Sequence, residues 1–329
     1  MKTVVVLATG GTIAMKYDEQ SQGLVPACSG EDLAMAIPGI EKIANLEFEQ
    51  FSNIASPGMT PQNMWDLHER CEFHLSREEV AGVVVTHGTD TLEETSYFLD
   101  LTHISDKPIA TTAAMRGAGD LSPDGPMNIL CAVKAVVAPE SVGKGVLVVM
   151  NERIFNPLDV TKTHSANPDT FQAPWWGPLG YVDLEKIEYR HAALKREKIL
   201  PKKLVARVDL IKAMTGADTL GYIDFALSQG VKGIVLEGFG RGNLPPPVME
   251  GITRAREKGV AVVVTTRTGA GRVLDVYGYP GSVTDSVRRG AVMGGETTAA
   301  KARLKLMLLL SKSPELAQSS QRLQEHFDN

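Results

Sequence analysis

Two apolar runs in this chain end in glycine and a threonine hydroxyl. One reads Val6-Leu7-Ala8-Thr9-Gly10-Gly11-Thr12-Ile13-Ala14, the other Gly82-Val83-Val84-Val85-Thr86-His87-Gly88-Thr89-Asp90-Thr91-Leu92. Glycine at a strand end lets backbone N–H groups approach a ligand closely, because no Cβ intervenes. Two such ends side by side in a parallel sheet aim the hydroxyls of Thr12 and Thr89, the carboxylate of Asp90 and several N–H donors into one crevice. Simpler roles exist for each. Thr12 is also a turn hydroxyl that caps the next segment. Thr89 and Asp90 are also helix-capping types. Capping is compatible with a site, since a helix N-terminus offers free N–H donors and a positive dipole end. Lys162, in Asp159-Val160-Thr161-Lys162-Thr163, is by itself a surface lysine. A lysine serves as base to a hydroxyl only if its pKa falls well below about 10.4, through burial or a second cation.

Positioning these groups takes a scaffold of buried strands. Apolar, β-branched runs recur at 3–7, 82–86, 109–112, 146–150, 232–236 and 260–265. They do not alternate with polar residues, so they predict strands buried on both faces of parallel sheets. Helical patterns lie between them. Ser29-Gly30-Glu31-Asp32 predicts a capping box, with its helix ending near Pro38-Gly39, and Thr91-Leu92-Glu93-Glu94 predicts a second, opening a helix through about Leu101. Strand–helix alternation gives the α/β class. The charged, mixed stretch 183–204 predicts a linker between a larger N-terminal domain, 1–182, and a smaller C-terminal α/β domain, 205–329. The larger domain is expected to be a mainly parallel sheet flanked by helices.

With 329 residues, 43% hydrophobic and 22% charged, the chain suits a two-domain globular protein. Its net charge of -5, with no basic face, argues against a nucleic-acid partner. The longest apolar stretch near the C-terminus, 306–310, is far too short for a membrane span. The first strand begins almost at Met1, with no leader pattern ahead of it, and Cys28, Cys71 and Cys131 are few and widely spaced. A cytoplasmic protein without a metal site is the expectation. Gly238-Phe239-Gly240-Arg241-Gly242-Asn243 follows a strand but lacks phosphate-loop spacing. Neither a G-x-S-x-G elbow nor an H-E-x-x-H motif is present.

Thr9-Gly10-Gly11-Thr12-Ile13-Ala14 and His87-Gly88-Thr89-Asp90-Thr91 closely resemble the signature segments of the bacterial asparaginase/glutaminase family. Ala114-Met115-Arg116, Asp124-Gly125-Pro126, the segment around Lys162, Gly177-Pro178-Leu179-Gly180, Gly242-Asn243-Leu244 and Lys301-Ala302-Arg303 follow in the family's order. The resemblance thus spans nearly the whole chain. It implies hydrolysis of the L-asparagine side-chain amide to L-aspartate and ammonia, with no cofactor. Thr12 would be the nucleophile that forms an acyl-enzyme. Thr89 would be a second catalytic threonine, paired with Lys162 and Asp90. Ser56 matches a serine that binds the substrate's α-carboxylate, Ala114 a position whose carbonyl faces the amide, and Asn243 a residue that reaches a neighbouring subunit's site. A homo-oligomer, dimer or tetramer, follows. N–H groups around Gly88 and Thr89 are the oxyanion candidates. His87 is expected to fix the loop rather than act as base.

The family pattern is not complete. Its lid tyrosine falls at Gly23, or at Leu24 with a one-residue shift, and the nearest tyrosine is Tyr17. Either Tyr17 swings in to polarise Thr12, from a segment 15–29 that orders on binding, or it packs against the lid. Pro57 and Gly58 follow Ser56 where relatives often place polar residues. After Arg267-Thr268-Gly269 neither Asp275 nor Asp285 aligns with the glutamate some relatives lend across the interface. Two alternatives therefore stand beside asparagine hydrolysis. One is an amidase for glutamine, a D-amino acid amide or another small amide. The other is a non-catalytic amino-acid-binding regulator.

Overall fold

The computed structural model describes residues 1–11, 22, 37–192 and 197–328, together with the backbone of 15–18 and 23–26. It divides into two compact units, Met1–Lys198 and Ile199–Asn329.

The first unit contains strands β1 (Thr3–Ala8), β2 (Met15–Asp18), β3 (Gly23–Pro26), β4 (Asn45–Gln50), β5 (Val80–Thr86), β6 (Ile109–Thr112), β7 (Val146–Met150), β8 (Arg153–Phe155), β9 (Thr161–Lys162), β10 (Phe171–Gln172), β11 (Gly180–Asp183) and β12 (Lys186–Tyr189). Among the described residues its α-helices are α1 (Pro61–Leu75), α2 (Leu92–Thr102) and α3 (Gly125–Val137). β4, β1, β5, β6 and β7 lie side by side and parallel, and β8, β11 and β12 continue the sheet antiparallel. Alternate residues of β1 separate the two faces, as strand geometry requires. Val4 and Val6 pack with Ile129, Ala132 and Val133 of α3. Val5 and Leu7 pack with Leu67, Cys71 and Leu75 of α1 and with Leu99 of α2. Both faces are covered, which explains why the strands read as unbroken apolar runs. The α/β expectation is borne out.

The open edge, β4, is covered by charge. Glu47 pairs with Arg77 at 2.7 Å, and Glu49 pairs with Arg70 at 2.6 Å and His74 at 2.9 Å. Charged side chains of this kind blunt an edge against pairing with another chain. The opposite edge differs from the sequence expectation. The predicted linker begins at 183, yet β11 and β12 pair through Asp183↔Lys186 to Gly180↔Tyr189 and belong to the sheet. An outer strand with one wet face alternates charged and apolar residues, so Lys186-Ile187-Glu188-Tyr189 imitates a linker in composition alone.

A separate two-stranded ribbon, β9 with β10, sits on a small cluster of Leu92, Ala113, Val148, Met150, Phe155, Val160 and Phe171. The predicted helix start at Ser29-Gly30-Glu31-Asp32 lies outside the described residues.

The second unit has a parallel sheet of β13 (Val208–Lys212), β14 (Gly233–Gly238), β15 (Ala261–Thr266) and β16 (Val292–Met293), in that order. Its helices are α4 (Thr219–Ser228), α5 (Val248–Glu257), α6 (Val283–Arg288), α7 (Ala299–Lys312) and α8 (Ser320–Phe327). Ile223, Ile234, Leu236, Ile252, Val262 and Val264 anchor its own core. Lys305 is buried within α7, and its ammonium donates to the His326 carbonyl and lies over the Phe327 ring.

Candidate active site

β1 and β5 are neighbours in register, with Ala8 opposite Thr86, so their carboxyl ends stop at the same level. The loops that follow are pressed together. A Cβ on Gly11 would lie 2.5 Å from the Gly88 Cα, and one on Gly88 would lie 2.6 Å from the Ser56 Oγ. Gly11 also has φ +93, in the left-handed region that favours glycine. These glycines therefore bring the first motif, the second motif and Ser56 into contact. Thr12, the residue after Gly11, lies outside the described residues, as does the side chain of Tyr17.

The second loop is fixed from beneath by His87, which is fully buried. Its Nδ1 is 2.8 Å from the Gly88 carbonyl and its Nε2 is 3.1 Å from the Thr95 hydroxyl. A carbonyl only accepts, so Nδ1 carries the proton and Nε2 accepts from Thr95. Burial drives the imidazole pKa down to about 4, against a smaller upward pull from the Gly88 carbonyl, so the ring is neutral at pH 7. A trans peptide sets its C=O and N–H on opposite sides. With the Gly88 carbonyl turned to His87, the Thr89 N–H points away from it. The expectation that His87 fixes this loop agrees with its contacts.

Thr89, Asp90 and Lys162 are brought together. Lys162 Nζ donates to Thr89 Oγ1 at 2.9 Å and to Asp90 Oδ1 at 2.6 Å. The Asp90 side chain is 56% exposed and that of Lys162 only 17%. Solvent screens this pair from the carboxylate side, so its worth to stability is small and its main effect is positional. Ser56 joins the group from a short 3-10 turn, where its Oγ accepts the Asp90 N–H at 3.2 Å. As acceptor it keeps its own hydroxyl proton to donate.

The second predicted capping box is absent. Thr91 precedes α2 but makes no side-chain cap, and its hydroxyl donates instead to the Ser56 carbonyl at 2.8 Å. Glu93 accepts the backbone N–H of Lys162 at 2.6 Å. Glu93 and Thr95 are thus site-supporting residues that sequence reading passed over. An acidic residue in a first helical turn looks like a dipole partner, and nothing local marks its distant contact.

Ala114 is buried just after β6, the neighbour of β5. Asn128 donates to the Ala113 carbonyl at 2.9 Å, and the Asp124 carboxylate accepts the N–H groups of Met115 and Arg116 at 3.1 and 2.9 Å. By the same trans-peptide geometry, the Ala114 carbonyl points away from Asp124. Asn243 lies in the second unit, in a tight turn closed onto Phe239, where its side-chain oxygen accepts the Val283 N–H at 3.4 Å. Among the described residues, no group of three or more His, Cys, Asp or Glu is placed to hold a metal ion. No helix among them is long and apolar enough to cross a membrane.

The arrangement pairs an N–H donor, a carbonyl acceptor, a lysine-bound hydroxyl and a serine hydroxyl along adjacent strand ends. Comparisons with known proteins agree on one family. Residues 3–195 match the asparaginase N-terminal domain and residues 207–324 the glutaminase/asparaginase C-terminal domain. An L-asparaginase of Bacillus licheniformis is 37% identical over 314 residues, covering 95% of this chain and 97% of its own length. L-asparaginase 2 of Bacillus subtilis (strain 168) is 36% identical over 334 residues, covering 98% of this chain and 85% of that one. The crystal structure of a probable cytoplasmic L-asparaginase from Campylobacter jejuni has a TM-score of 0.89 at 33% identity, covering 100% of both chains.

Proposed function

Because the chain belongs to the asparaginase family, we propose that this amidohydrolase cleaves the side-chain amide of L-asparagine through an acyl-enzyme on Thr12. The observation that carries the reading is the placement of Lys162 Nζ at hydrogen-bond distance from both Thr89 Oγ1 and Asp90 Oδ1. Such reach is the first requirement for a group that moves a proton. In the first step the Thr12 oxygen bonds to the amide carbon. The C–N bond then breaks, and the nitrogen leaves as ammonia after taking up the hydroxyl proton. In the second step water adds to the ester carbon and the Thr12–carbon bond breaks. Thr12 regains its proton and aspartate is released. Thr89, held by Lys162, assists water in this step.

Other groups take supporting roles in the same reading. The Thr89 N–H, fixed in direction by His87, is the oxyanion donor. The Ala114 carbonyl accepts from the substrate amide, and Ser56 donates to the α-carboxylate. Tyr17 supplies the lid hydroxyl. Its register opposite Leu24 in the β2–β3 hairpin supports that role, because Leu24 is one of the two positions where the family's tyrosine falls. Asn243 completes the site of a neighbouring copy in a homo-oligomer. The compartment is the cytoplasm, as the description of the Campylobacter neighbour suggests.

Ammonia release from L-asparagine tests the activity. Thr12→Ala and Thr89→Ala are each expected to lower turnover by several orders of magnitude, with the far-UV circular dichroism unchanged. Near-native turnover in Thr12→Ala would overturn the nucleophile assignment. Turnover of glutamine or another small amide in preference to asparagine would shift the substrate and leave the chemistry intact.

A further inference from the structure

Lys162 sits on a slender element for a residue with so exacting a task. β9 is two residues long, and its partner β10 is no longer. The register is Lys162↔Phe171 and Thr161↔Gln172. Thr163 donates its N–H to the Thr170 carbonyl at 2.8 Å, which marks the side of the strand that faces β10. Successive N–H groups on a strand point to opposite sides. The Lys162 N–H therefore faces away from the ribbon, toward α2, where Glu93 accepts it at 2.6 Å. A short bond to a carboxylate is of the stronger, charge-assisted kind. Glu93 belongs to the same first helical turn that Thr89 and Asp90 lead into. The chain is thus tied to one helix end at both ends of the lysine: by its backbone N–H to Glu93, and by its Nζ to Thr89 and Asp90.

We infer that Glu93 is a positioning residue for the reaction, acting as a backbone acceptor that sets the distance between Lys162 Nζ and the Thr89 hydroxyl. This inference rests on the catalytic role proposed above for Lys162. Glu93 touches no reacting atom in it. Without the carboxylate, the ribbon keeps its packing through Val160 and Phe171, but the strand that carries Lys162 loses its lateral anchor. The ammonium then samples positions off the Thr89 oxygen, and misplacement of about 1 Å costs about 10²-fold in rate. Substrate contacts are untouched, so the loss falls on kcat and not on KM.

The test is a set of four variants: Glu93→Ala, Glu93→Gln, Lys162→Met and the double variant Glu93→Ala/Lys162→Met. Glu93→Ala is expected to lower kcat by about 10- to 100-fold with KM near the parent value. Glu93→Gln keeps a carbonyl acceptor and should recover most of that loss. In the Lys162→Met background, Glu93→Ala should cost nothing further, because residues that act through one another are not additive. Independent, multiplicative losses in the double variant would overturn the inference, and so would a Glu93→Gln variant as slow as Glu93→Ala. A Glu93→Ala variant with parental kcat would overturn it too. Full activity in Lys162→Met alone would instead sink the catalytic reading of the lysine, and this inference with it.

Discussion

At the scale of single residues, the site is built by pinning one end of a group so that its other end is presented. His87 holds the Gly88 carbonyl, which directs the Thr89 N–H; Asp124 holds the Met115 N–H, which directs the Ala114 carbonyl. His87 has a measurable consequence for stability against pH. Its pKa is about 4 in the folded chain, against an ordinary 6.5, because burial disfavours the imidazolium. Between those values the unfolded chain binds a proton that the folded chain does not. Stability from this group is full above about 6.5 and is lost as pH falls toward about 4, amounting to about 3 kcal/mol. A His87→Gln variant keeps an amide donor for Gly88 and an acceptor for Thr95 but cannot titrate. Its unfolding free energy, measured by denaturant titration from pH 4 to 7, should fall less steeply with acid than that of the parent. Parallel curves would show that His87 ionises freely in the folded state.

At the scale of elements, the parent strands were legible and their small companions were not. The runs at 3–7, 82–86, 109–112 and 146–150 fall on β1, β5, β6 and β7, because burial on both faces leaves an unbroken apolar signature. The glycines at the ends of β1 and β5 were equally legible, since nothing larger fits there. The β9–β10 ribbon is too short to show a period, so Lys162 by itself has the sequence signature of a surface residue. Thr91 carries capping-box chemistry in sequence and Glu93 looks like a dipole partner, yet both bond across the fold, a choice that only tertiary structure makes. The β11–β12 hairpin was lost among its own charges. The ribbon also carries a prediction. Phe171 is 2% exposed and packs in the cluster beneath Lys162. Phe171→Ala should cost about 3–5 kcal/mol of stability, as large-to-small core changes do. It should also lower kcat at temperatures where the chain is still fully folded, checked by kinetics alongside thermal unfolding. Loss of stability with unchanged kcat would mean that the ribbon does not set the lysine.

At the scale of the whole molecule, each unit has its own sheet and its own core, and the candidate catalytic residues sit in the first while Asn243 sits in the second. If sites are completed between copies, damage to the two regions complements. Thr89→Ala and Asn243→Ala chains are each expected to be nearly inactive alone. Co-expressed, they form mixed dimers in which one site has an intact threonine from one chain and an intact asparagine from the other. Roughly a quarter of parental activity should return if the copies associate at random as two-fold dimers. Sedimentation at several concentrations checks the assembly itself. Absence of any recovery in a verified mixed oligomer would assign Asn243 to its own chain's chemistry or to none.

The contact between Gly11 and Gly88 reaches beyond catalysis. A Cβ on Gly11 would lie only 2.5 Å from the Gly88 Cα, so the first loop cannot acquire a side chain at that point unless the second retreats. The two motifs are distant in the gene yet form one heritable unit. A recombinant that takes its first motif from one parent and its second from another inherits this constraint. It survives a crossover between them only where both parents left the same gap.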